Sequence, residues 1–127
     1  PDEEVERRRV AAESQRGDIL LLLGGLRQGR PLAGSRTMRY YLATQRERTL
    51  VSLFDVMGLT QPEFWDRPFT TPAALQAAID GGRRVYAPAH LRPELERATA
   101  SGLVRLAWVE RSASLLEITR IEAGPAP

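Results

Sequence analysis

The densest concentration of potential chemistry is the segment Gly24 to Gly34, GGLRQGRPLAG, which holds four glycines and a proline between an apolar run and Ser35. Ser35 suits a helix N-cap. Free backbone N–H groups and the positive end of a helix dipole favour an anion at such a junction. Arg27, Arg30 and Arg36 add positive charge there, and the expected anion-binding set is Gly25, Arg27, Gly34, Ser35 and Arg36. Gly29 and Gly34 have the P-loop spacing, but Ser35 stands where the lysine belongs and Arg36 where the Ser/Thr belongs. No G-x-G-x-x-G occurs either. A flexible surface loop is the plainer reading of the same residues.

His90 is the one histidine of the chain. It follows an apolar segment at what should be the carboxyl end of a strand, where open α/β sheets place ligands. Asp55 is expected to end another strand at the same edge, so the two form a possible strand-end ligand site. A structural role is the commoner fate of a histidine at such a junction. No acids stand at metal-ligand spacing around His90, so no metal or other cofactor is expected. No G-x-S-x-G elbow is present. Trp65 and Trp108 would stack on sugars if exposed, but packing is the better default for both.

The elements that would position these residues can be read from periodicity. Residues 2 to 15 predict a charged helix with a thin stripe of Val5 and Ala12, Val10 lying off it. Glu3 and Glu4 are spaced to pair with Arg7 and Arg8. Ile19 to Leu23 is a continuous apolar run, the pattern of a strand buried on both faces. After the glycine-rich loop, which should contain no regular element, a helix is expected from Ser35 to about Gln45 with Met38, Tyr41 and Leu42 inward. Thr49 to Phe54 predicts a second strand. Residues 57 to 70 read as an irregular excursion around Phe64 and Trp65. Pro72 should open a helix that buries Leu75, Ala78 and Ile79 and ends at Gly81.

A third strand over Arg84 to Ala87 and a helix from Pro93 with Leu95 and Ala98 inward follow. The period then changes from helical to two. Val104, Leu106 and Trp108 alternate with other residues, as do Leu116 and Ile118, which predicts an antiparallel hairpin. The fold class is therefore α/β, a three-layer sandwich with a mostly parallel sheet and a C-terminal antiparallel hairpin at its edge. One domain is expected over residues 1–122, with a disordered tail over 123–127.

Composition narrows the function classes. The chain has 127 residues with 43% hydrophobic and 27% charged side chains, a balance suited to one packed core. The apolar run at Ile19 is far shorter than the roughly 18 residues of a membrane helix. All 18 basic residues are arginine, and the formal net charge is only +2, so the basic character reflects codon bias and no nucleic-acid partner is expected. Without cysteine there is no disulfide, thiolate site or cysteine nucleophile. The opening Pro-Asp-Glu-Glu, lacking Met, leads us to expect a piece of a longer protein.

Four stretches carry a family resemblance: RGDILLLLGG, SRTMRYYLATQRERTLVSLFD, ALQAAIDGGRRVYAPA and LVRLAWVERSASLLEITRI. They resemble the soluble extracytoplasmic domain that follows the membrane helices of polytopic glycosyltransferases using lipid-linked sugars, the protein-mannosyltransferase-like and aminoarabinose-transferase-like group. In that group the catalytic acid and the lipid-sugar cavity lie in the membrane portion, so no family catalytic residue maps onto this chain. The resemblance implies a non-catalytic accessory domain on the extracytoplasmic face of a bacterial membrane, partnered by the membrane portion of its own parent. A glycan or phosphate-containing ligand is a further expectation. The alternatives are a free-standing α/β domain that binds a ligand or a protein, and a small enzyme acting on a phosphorylated substrate.

Overall fold

A computed structural model of the chain describes residues 2–27, 29–60 and 70–125. The elements in order are α1 (Asp2–Glu13), β1 (Ile19–Leu22), β2 (Leu26–Arg27), β3 (Arg30–Pro31), α2 (Arg36–Ala43), β4 (Thr49–Ser52) and α3 (Leu53–Val56). Then come α4 (Pro72–Asp80), β5 (Val85–Pro88), a 3-10 turn (Ala89–Leu91), α5 (Arg92–Ala100), β6 (Val104–Glu110) and β7 (Leu115–Ala123).

All four side chains of β1 are buried. Such a strand needs apolar cover on both faces and paired amides on both edges. β4 and β5 flank it in parallel, with Leu20 opposite Leu50 on one side and Tyr86 on the other. β7 then pairs antiparallel with β5, and β6 with β7, giving the sheet order β4-β1-β5-β7-β6. The crossover from β1 to β4 runs outward and the one from β4 to β5 runs back, so right-handedness places α2 and α4 on opposite faces. α1 packs beside α2, and α4 lies along β7, where Gln76 Oε1 accepts from the Ile121 amide at 2.8 Å. This is the expected three-layer α/β sandwich with its hairpin at the edge.

Several local expectations are corrected. The strand at Thr49 stops at Ser52, because the Ser52 hydroxyl caps α3 by accepting from the Asp55 amide, so Leu53, Phe54 and Asp55 are helical. The glycine-rich segment does contain a regular element. Leu26 pairs with Pro31 and Arg27 with Arg30, with Gly29 at φ +74 in the turn and Leu26 anchored on the core. In α1 the buried side chain is Val10, while Val5 is exposed. Packing against the sheet and α2, not the helix's own stripe, selects its inner face. In α2 the buried positions are Thr37 and Tyr40; of the expected Met38, Tyr41 and Leu42, Tyr41 packs partly buried against the core, Met38 is half-buried and Leu42 is exposed. β7 includes Ala123, and the Gly124 amide donates to Leu103 O, so the ordered chain runs past residue 122. Phe64 and Trp65 lie outside the described residues.

The hairpin contains one irregularity with a packing consequence. Ala107 pairs with Arg120 but the next residue, Trp108, pairs with Ile118, leaving Thr119 as an extra residue in β7. The bulge lets Ile118 and Ile121, three apart, both face the core, which strict alternation forbids.

Leu21→Asp should abolish cooperative unfolding, since an unpaired charge at the dry sheet centre costs several kcal/mol of a total of about 5 to 15. Leu42→Asp, at an exposed site, should shift stability by no more than about 0.5 kcal/mol. Urea titration followed by circular dichroism distinguishes the two.

Candidate functional site

The two oppositely directed crossovers leave β1 and β5 without a shared covering helix at their carboxyl ends, which is where open α/β sheets form ligand crevices. Here the chain leaves β1 through Gly24 and Gly25. A Cβ on Gly24 would stand 2.9 Å from the Phe54 ring, and one on Gly25, which sits at φ +75, would stand 2.9 Å from Thr37 Oγ1. Glycine at both positions therefore lets α2 and α3 close in on the strand end. The result is a crevice of about 270 Å³ walled by Gly24, Gly25, Arg36, Thr37, Phe54 and His90.

His90 stands in the 3-10 turn after β5. Its Nδ1 lies 2.5 Å from Glu6 Oε1, an acid 84 residues away on α1. Tyr40 completes the group, donating its hydroxyl to the same Glu6 oxygen at 3.0 Å. The Tyr40 phenol is held far above its ordinary range, chiefly by burial and secondly by the negative Glu6 beside it. Beside this trio, Glu3 Oε1 lies 3.0 Å from Arg36 Nε and 3.1 Å from Arg7 Nη1, with Arg39 Nη1 at 3.9 Å. That oxygen is buried and accepts no well-angled hydrogen bond, so the contact is one of charge.

The hydroxyls at the crevice are committed to the backbone. Thr37 Oγ1 donates to Gly24 O at 2.6 Å. Ser35 Oγ donates to Leu32 O at 2.7 Å and accepts from the Met38 amide at 3.0 Å, acting as the N-cap of α2.

Of the expected anion-binding residues, Gly25, Ser35 and Arg36 line the crevice, whereas Arg27 and Gly34 are not part of its wall. Of the expected strand-end pair, His90 is in place but Asp55 is not its partner. Asp55 accepts from the Thr60 hydroxyl and faces a neighbouring cavity with Leu32, Phe54 and Leu59. Being one turn into α3 re-aims it. Sequence reasoning missed Glu6 and Tyr40. Glu6 is one of several acids on α1, and nothing local in the sequence marks it. Trp108 packs against the core. Among the described residues no group of three His, Asp or Glu side chains is placed to hold a metal ion, and no helix is long and apolar enough to cross a membrane.

Compared with protein-family models, with curated proteins and with solved structures, the chain matches none. The crevice must therefore be interpreted from its own geometry.

Because the folded state raises the Tyr40 pKa above its unfolded value near 10, the associated stability is complete below about pH 10 and is lost as pH rises further. Tyr40→Phe should abolish that alkaline decline. Thermal melts of both proteins between pH 8 and 11 check it, and equal declines would refute the assignment.

Proposed function

We propose that this chain is a non-catalytic, soluble accessory domain of a membrane glycosyltransferase-like protein, and that it holds a small glycan or phosphate-containing ligand in the crevice beyond β1 and β5. The observation that carries the reading is the state of the crevice hydroxyls. Ser35 and Thr37 both spend their protons on backbone carbonyls, so the wall offers shape and hydrogen-bonding groups but no activated nucleophile. Its placement at the switch point of the sheet supports ligand binding on general grounds. The four stretches quoted above support the link to a membrane parent, which would supply the catalytic acid and the lipid-sugar cavity.

A second reading has one observation in its favour. Glu6 orients His90 as an acid orients a general base. A small enzyme built on this pair would use water to attack a phosphorylated substrate.

The purified chain, incubated with a polyprenyl-phosphate sugar and a panel of acceptors, should give no turnover, while a longer parent containing membrane helices should. Turnover by the chain alone overturns the accessory reading. Hydrolysis of phosphomonoesters that disappears in His90→Gln would establish the second reading instead.

A further inference from the structure

The charges around the crevice decide which class of ligand it suits. Two wall residues, Arg36 and His90, would be expected to attract an anion, yet each already faces a carboxylate delivered by α1. Arg36 Nε is 3.0 Å from Glu3 Oε1, and His90 Nδ1 is 2.5 Å from Glu6 Oε1. A phosphate entering the crevice would meet an Arg36 whose charge is already shared with Glu3 and the Glu6 carboxylate behind the imidazole. Both effects oppose a dianion. They leave a neutral ligand untouched.

Besides the largely exposed Arg36, the wall presents hydrogen-bonding and apolar surface. With Nδ1 committed to Glu6, Nε2 is the ring nitrogen of His90 left to hydrogen-bond a ligand. Tyr40 holds the same Glu6 oxygen at 3.0 Å and so fixes the carboxylate that orients the ring. Phe54, 43% exposed, lines the same crevice and offers an apolar ring, which a Cβ at Gly24 would crowd at 2.9 Å. The volume of about 270 Å³ lies just below the roughly 300–1,000 Å³ usual for small-molecule sites. That is room for one ring.

We infer that the crevice binds a neutral, polyhydroxylated ring, with one face against Phe54 and a hydroxyl hydrogen-bonded to His90 Nε2, and that the α1 carboxylates exclude phosphate from it. This rests on the crevice being a ligand site, as proposed above, and names its ligand class. Glu6 and Tyr40 act as positioning residues through His90. Glu3 acts as the selectivity element.

Because the chain has a single histidine, its ring nitrogens can be followed without ambiguity by long-range 15N NMR alongside the backbone amides. The wild-type protein is titrated with a methyl hexopyranoside and, separately at matched ionic strength, with inorganic phosphate. The glycoside should shift the amides of Gly24, Gly25 and His90 and move the Nε2 resonance more than Nδ1, while phosphate should leave all of them in place. Phe54→Ala should weaken the glycoside by about fivefold with the amide spectrum otherwise preserved. Glu3→Gln, which releases Arg36, should make the same amides respond to phosphate. Phosphate shifts in the wild type as large as those of the glycoside overturn the inference and leave the crevice standing as a ligand site. So does a glycoside response that Phe54→Ala leaves unchanged, or a Glu3→Gln protein still indifferent to phosphate. Silence of the crevice amides toward both probes overturns the inference together with the reading beneath it.

Discussion

The whole arrangement depends on the burial of β1. Its four side chains are at most 3% exposed, so both faces need helices and both edges need strands. Those demands set the chain path. A parallel neighbour on each edge requires two crossovers of opposite sense, and two such crossovers diverge above the carboxyl ends of the strands. The crevice is thus a by-product of satisfying one apolar strand. Gly24 and Gly25 then decide how tightly its walls approach.

α1 turns this opening into a defined site. Only Val10 of the helix is fully buried, so its placement relies on polar anchors at both ends. At the amino end these are Glu3 among Arg7, Arg36 and Arg39, and Glu6 on His90 and Tyr40. At the carboxyl end Arg48 donates to the Ser14 hydroxyl and to the Ala11 and Ser14 carbonyls, satisfying groups a helix leaves open. The helix that contributes least to the core contributes most to the electrostatics of the crevice.

This division of labour explains what was legible in the sequence. The apolar run at Ile19, the prolines and glycines that bound α4, and the alternation from Val104 onward report local burial, which period alone reveals. They were enough for the layer order and the edge hairpin. The end of β4 was not legible, since Ser52 caps a turn inside what reads as one apolar stretch. Nor was the inner face of α1 or α2, because in short, mixed helices the neighbours choose the face. His90 could be singled out as a rare residue at a strand end, but its partner could not. Glu6 lies 84 positions away, in a helix where acids alternate with arginines and each looks equally solvated. Asp55 seemed the nearer candidate until one turn of α3 directed it to Thr60.

The bulge at Thr119 bears on something other than the core. Among the described residues the sheet has two open borders that could recruit strands from other molecules, and the longer is β6, seven residues of regular strand. The extra residue in its partner increases local twist, and Arg105 and Glu110 stand along the border itself. A twisted, charged border is a poor template for a flat incoming strand. The opposite border, β4, is only four residues long. The irregularity that brings Ile118 and Ile121 inward thereby also guards the molecule against polymerising through its own sheet.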